Sequence, residues 1–287
     1  MIKILKYLFQ SIFVYIFFII GKILGLQISR SLFSKLFQFL GPKFKSNKVI
    51  NKNLDIYDQN MTVLERDEII SQMWSNYGKT FIEYIFLNKF RNSSEYVKIK
   101  NKNILDSVLI NNKPVIFVSG HFANFELMSM EMTKRGIKLA TIYRPLNNYF
   151  LNPFMEFLRR RYICRNQIKK GRAGVRNSMK YINNGYNIAL MIDQRVSEGE
   201  TINLFNKLCL TTTLPAQLAL KYNLNIVPVS IKREIYDNNF ELTFHPLINI
   251  NQFKNKFDLT KHLNHHLESM LKKNPGQWIW THNRWKL

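Results

Sequence analysis

The sequence predicts an α/β fold: a mixed, largely parallel sheet flanked by helices, preceded by an N-terminal hydrophobic membrane-anchor helix. Three observations predict it. Short apolar runs alternate with helix-period segments through the second half of the chain. No internal repeat or low-complexity linker interrupts them. The first residues form an apolar run of a quite different kind, with no charge from Tyr7 to Gly21.

That run contains Leu8, Phe9, Ile12, Phe13, Val14, Ile16, Phe17, Phe18, Ile19 and Ile20. At about 1.5 Å rise per residue it falls short of a bilayer core of about 30 Å, and extension past Lys22 to Ser29 makes a span possible with Lys22 snorkelling. Lys3 and Lys6 before it imitate a signal peptide, but no alanine precedes Ala123, so the usual small-residue cleavage motif is missing. A retained anchor is the better reading. The cations that follow (Lys22, Arg30, Lys35, Lys43, Lys45, Lys48) exceed the two lysines before it, which places the rest of the chain on the cytoplasmic side. Leu32, Phe33, Leu36, Phe37, Phe39 and Leu40 suit a segment in the interface plane or, alternatively, a core helix. Residues 1–45 are thus read as anchor and interfacial segment, and 46–287 as the catalytic domain.

Thr62 and Glu65 form a capping box ahead of a long amphipathic helix carrying Ile69, Ile70, Met73, Trp74, Tyr77, Phe81, Tyr84 and Ile85. Strands are expected at 115–119, 138–143, 187–193, 225–231 and 240–244, and helices at 125–134, 149–160, 172–183 and 214–223.

Composition excludes some classes and leaves others open. With 46% hydrophobic residues the chain is not disordered, and Cys164 and Cys209 match neither a disulfide framework nor a zinc spacing. His262, His265 and His266 read as a solvated helix face, so no metal is expected, and no cofactor. The 42 Lys+Arg against 19 Asp+Glu give a net charge of +23, which suits nucleic acid, an anionic membrane or an acidic protein carrier. The run Arg159-Arg160-Arg161 with Arg165, Lys169, Lys170 and Arg172 suits anionic lipid or an acidic carrier better than RNA, given the anchor.

The chemistry concentrates where the 115–119 strand ends, in Gly120-His-Phe-Ala-Asn-Phe-Glu126. Sites of α/β sheets gather at such strand ends. On one continuous helix His121 and Glu126 would stand about 140° apart. With His121 in the turn, Glu126 can fold back to bond one ring nitrogen and leave the other as a general base.

This block resembles the His-x4-Asp/Glu motif of the glycerolipid acyltransferase superfamily and, in its Glu form, the late acyltransferases of lipid A biosynthesis (lauroyl/myristoyl type). Three further blocks agree in order: Tyr143-Arg-Pro-Leu-Asn-Asn148, Asp193-Gln194 after an apolar strand, and Gln277-Trp-Ile-Trp-Thr-His-Asn-Arg-Trp-Lys286. Arg195 and Asn283 depart from the family pattern and bear on acceptor and chain-length preference. The resemblance implies transfer of a fatty acyl group from an acyl carrier protein thioester to a hydroxyl of a lipid A precursor, at the cytoplasmic face of a bacterial inner membrane. His121 would take the hydroxyl proton, Glu126 would orient it, Arg144 would bind phosphate or steady negative charge, and Asp193 would position Arg144 or polar substrate groups. Asn124 and Gln194, inside these blocks, join Arg144 as candidate substrate-binding residues. The alternatives are another lipid acceptor (a lysophospholipid or amino-acid lipid) or, from a different class, a membrane-tethered nucleic-acid-binding protein.

Overall fold

A computed structural model describes residues 2–44, 47–111, 113–236 and 239–287. The expected boundary at 45/46, and Lys45 with it, lie outside them. The first helix, α1 (Ile2–Phe44), is interrupted at Gly25, whose φ of 75° and ψ of 171° belong to no helix. Such a conformation is open essentially only to glycine. The helix therefore does not run straight on to Ser29, whose hydroxyl instead donates to the Gly21 carbonyl at 2.8 Å.

The half after Gly25 packs into the body. Its partner is the long helix foreseen from the capping box, which follows α2 (Asn47–Tyr57) as α3 (Val63–Glu83), with both capping-box bonds present. Phe33 is 1% exposed, and Gly78 lets the two backbones meet, since a Cβ there would lie 2.1 Å from the Phe33 carbonyl oxygen. Leu32 and Phe39 on the opposite face stay exposed. Arg30, buried, donates to Glu83 Oε1 at 2.7 Å, and Arg233 donates to Glu83 Oε2 at 3.0 Å. A charge this deep persists only when paired, so Glu83 rivets the first helix to the sheet.

After the short α4 (Leu87–Asn92), the strands β1 (Val97–Lys100), β2 (Ile116–Ser119), β3 (Leu139–Tyr143), β4 (Asn166–Lys169), β5 (Asn187–Met191), β8 (Ile226–Arg233) and β9 (Phe240–Phe244) form one sheet in the order β1-β9-β8-β2-β5-β3-β4. Among the described residues of this sheet only the β8–β9 pair is antiparallel. Each central strand is buried along nearly its whole length, as a sheet covered on both faces demands. Helices α5 (Lys102–Asn111), α6 (Glu126–Lys134), α7 (Asn152–Leu158), α8 (Arg172–Asn183), α9 (Leu214–Tyr222) and α10 (Lys256–Lys273) make the crossovers and outer layers.

All five expected strands are present. The polar edge strands β1 and β4, and the separate hairpin β6 (Glu200–Leu204) with β7 (Lys207–Thr211), went unread because they lack an apolar run. The helix expected over 149–160 is α7 followed by a π-helical turn at Arg159–Ile163.

Candidate active site

The register β2–β5 pairs Ser119 with Met191. Two residues further on, both chains leave the sheet side by side, which brings His121 against Asp193. Gly120 permits the approach, because a Cβ there would meet the Phe122 ring at 2.7 Å and Asp193 Cβ at 3.3 Å. The turn is held by Ala123, whose φ of 45° is unusual for a non-glycine residue. Its N–H donates to the Gln277 carbonyl at 2.9 Å, and its carbonyl accepts from Thr80 at 3.1 Å. Strain fixed from two sides is what keeps residues 120–125 out of α6.

His121 Nδ1 lies 2.8 Å from Asp193 Oδ1, and the His121 backbone N–H donates to Asp193 Oδ2, also at 2.8 Å. Trp278 Nε1–H donates to the same Oδ2 at 2.8 Å. Asp193 is 2% exposed. Burial works against its charge, but the His121 ring, the His121 backbone N–H and the Trp278 indole outweigh it and hold the carboxyl at about 2. Burial likewise opposes a charged imidazole, yet Asp193 and, more weakly, Glu126 raise the His121 pKa above its ordinary value. With Nδ1 committed to Asp193, Nε2 is the nitrogen available for proton transfer.

Glu126 does not bond the histidine, contrary to expectation. Its Oε1 accepts from Arg159 Nε at 2.7 Å and from the Tyr84 hydroxyl at 2.6 Å. The physical reason is the strand register: Asp193 is delivered to Nδ1 by β5, while Glu126 opens α6 and points at the π-helical turn. Burial beside this carboxylate pushes the Tyr84 hydroxyl up, so it remains a donor. Arg159 accordingly leaves the surface basic run, with a side chain only 12% exposed.

A cavity of about 470 Å³ joins these groups. His121, Glu126 and Arg159 line it together with Arg144 from the end of β3, Gln194 and His282. Of the six candidate residues, His121, Glu126, Arg144 and Gln194 thus meet at one space, and Asp193 stands directly behind His121. Asp193 holds the histidine, not Arg144. Asn124 departs from expectation as well: it is 1% exposed, does not line the cavity, and donates to Glu83 Oε2 at 2.8 Å, so it belongs to the Arg30–Glu83–Arg233 cluster.

Sequence reasoning missed Tyr84, Arg159, Trp278 and His282. Trp278 and His282 lie in the Gln277–Lys286 block, whose repeated tryptophans suit packing as well as function. The block packs, and it also reaches the cavity through Trp278 on Asp193 and through His282. Gln277 brackets Arg233 with bonds of 2.7 and 2.8 Å, and Arg284, fully buried, donates to Leu210 and Thr211 in the hairpin. Arg195, the departure from the family pattern, lines the cavity and donates to the Lys286 carbonyl at 2.7 Å.

A histidine–carboxylate pair at a strand end, facing a cavity with an arginine, suits deprotonation of a hydroxyl beside an anionic substrate group. The family model described as bacterial lipid A biosynthesis acyltransferase matches residues 1–287, the whole chain. The chain belongs to that family. Membership makes the protein an acyltransferase, with a lipid acceptor and an acyl donor. Among solved structures, the chain is similar to the crystal structure of the 1-acyl-sn-glycerophosphate (LPA) acyltransferase PlsC from Thermotoga maritima, at a TM-score of 0.43 and 14% identity, covering 89% of this chain and 100% of that one. No curated protein matches the chain.

Proposed function

We propose that the enzyme moves a fatty acyl group from an acyl carrier protein thioester to a hydroxyl of a lipid A precursor, at the cytoplasmic face of a bacterial inner membrane. The observation that carries this reading is the His121–Asp193 pair, its ring Nε2 free, at a cavity that also holds Arg144. The acceptor hydroxyl oxygen forms a bond to the thioester carbonyl carbon as its proton passes to Nε2. The carbon–sulfur bond then breaks, and the imidazolium returns the proton to the departing thiolate. Asp193 stabilises the imidazolium in between and fixes the tautomer. Arg144 offers a cation for a substrate phosphate or for the oxyanion of the tetrahedral intermediate. Glu126 acts on Arg159, and through it on the shape of the cavity wall.

Membrane association is supported by α1, the one helix among the described residues long and apolar enough to cross a bilayer. The half before Gly25 does not stand clear of the body: Asn148 donates to the Tyr7 carbonyl at 2.9 Å, and Tyr15 donates to Phe150 at 2.8 Å. Tyr149, Phe150 and Phe157 expose apolar rings on the segment it touches. An apolar helix in contact with a segment that exposes aromatic rings suits burial in the membrane interface, with the net charge of +23 attracting anionic headgroups and an acidic carrier.

The test is acylation of a defined lipid A precursor with acyl carrier protein thioesters of several lengths, followed by mass spectrometry. One added acyl chain, lost in His121→Ala, is the expected result. Transfer to a lysophospholipid with none to the precursor would refute the acceptor.

A further inference from the structure

Away from the catalytic cavity, two spaces meet at Tyr162. One is an apolar groove of about 480 Å³ between α1 and α7, walled by Tyr15, Phe18, Ile19, Phe154, Leu158 and Tyr162. Ile19 is 60% exposed and belongs to the bare apolar side of α1, so the groove opens on that side. The other is a space of about 430 Å³ at the start of β3 and β4, lined by Arg91, Lys138, Arg160, Arg161, Arg165 and Tyr162. Among the described residues no carboxylate lines either space. Arg160, Arg161 and Arg165 make no ion pair among the described residues, whereas their neighbour Arg159 is fully engaged with Glu126.

Arg91 and Lys138 bond only to carbonyl and hydroxyl oxygens, so five cations gathered with no carboxylate among the described lining residues repel one another, and an anion seated among them relieves that repulsion. A headgroup phosphate held there, with its acyl chains running past Tyr162 into the groove, satisfies both spaces at once. We propose that the groove and the basic space together form a site for an anionic glycerophospholipid of the surrounding bilayer, distinct from the acceptor and donor sites. The inference rests on the membrane reading of α1 given above. Basic pockets beside membrane helices on the cytoplasmic side are suited to such headgroups. Lys22, also lining the groove, adds a further cation at its edge.

The test uses the full-length protein with vesicles of phosphatidylcholine, with and without phosphatidylglycerol, followed by flotation and native mass spectrometry of the lipid retained. Wild type should float and keep phosphatidylglycerol in preference to phosphatidylcholine. The double variant R160Q/R161Q should float but lose that preference by about tenfold or more. K98Q/K102Q, which removes the same charge from exposed positions elsewhere, should keep it. Unchanged preference in R160Q/R161Q overturns the site, and equal loss in both double variants overturns it in favour of diffuse surface charge. A raised KM for the carrier-borne donor in R160Q/R161Q with lipid retention intact makes the run a carrier dock instead. Failure of wild type to float overturns the membrane reading and this site together, whereas flotation with unaltered lipid selection overturns the site alone.

Discussion

Asp193 holds His121 twice, through the ring Nδ1 and through the backbone N–H, each at 2.8 Å. The double grip fixes both the orientation of the imidazole and the position of the turn that carries it. Asp193→Asn keeps the volume but presents an amide that can donate to Nδ1, which favours the wrong tautomer. The expected result is a fall in kcat of about 10²- to 10⁴-fold in a variant that still folds, measured by single-turnover acylation alongside circular dichroism. Activity within about twofold of wild type would refute His121 as the general base.

The same pair sets opposite pH trends for stability and activity. His121 is raised above its ordinary value, so the stability it adds is complete below the unfolded value of about 6.5 and is lost as pH climbs through the folded one. Asp193 is held at about 2, so its contribution is present above about 3.9 and disappears as pH falls toward 2. A base must be neutral to accept a proton, so acylation should rise with pH over the window in which stability declines. Urea midpoints and initial rates collected across pH 5 to 9 on wild type and His121→Gln check this. His121→Gln should flatten the stability curve above about pH 6.5.

Arg159 and Arg160 are neighbours in sequence with unlike surroundings. Removing Arg159 leaves Glu126, its side chain only 10% exposed, without its cation, and Arg159→Ala should cost about 3 kcal/mol by denaturant unfolding. Arg160 is exposed, and Arg160→Ala should change stability by no more than about 0.5 kcal/mol. Equal effects would contradict the inward placement of Arg159.

Gly25 lies in a backbone conformation that a side chain strains even in open space, and nothing stands within 4 Å of its missing Cβ. Gly25→Ala should therefore destabilise by about 1–3 kcal/mol through the backbone alone. Limited proteolysis near the break, with denaturant unfolding, provides the measurement. A neutral outcome would mean that α1 can run straight.

Local pattern made much of this protein legible in advance. Apolar runs bounded by turn residues identified the central strands, because a strand covered on both faces must be apolar along its length. Thr62 with Glu65 marked the start of α3, because a capping box is completed within four residues. His121 was recognisable because it lies where such a strand ends, whereas Arg144 and Gln194 were candidates only through the blocks that carry the family resemblance. What the sequence could not contain was the order of the strands. His121 and Asp193 are 72 residues apart, and only the adjacency of β2 and β5 makes them partners. Reading Glu126 as the partner favoured the carboxylate nearest in sequence, whereas register delivers the one nearest in space. The inward turn of Arg159, the burial of Arg30 against Glu83 and the diversion of Asn124 into that cluster share this cause. Each depends on which charges the packed elements enclose together, and the desolvation of a charge is a property of the assembled fold.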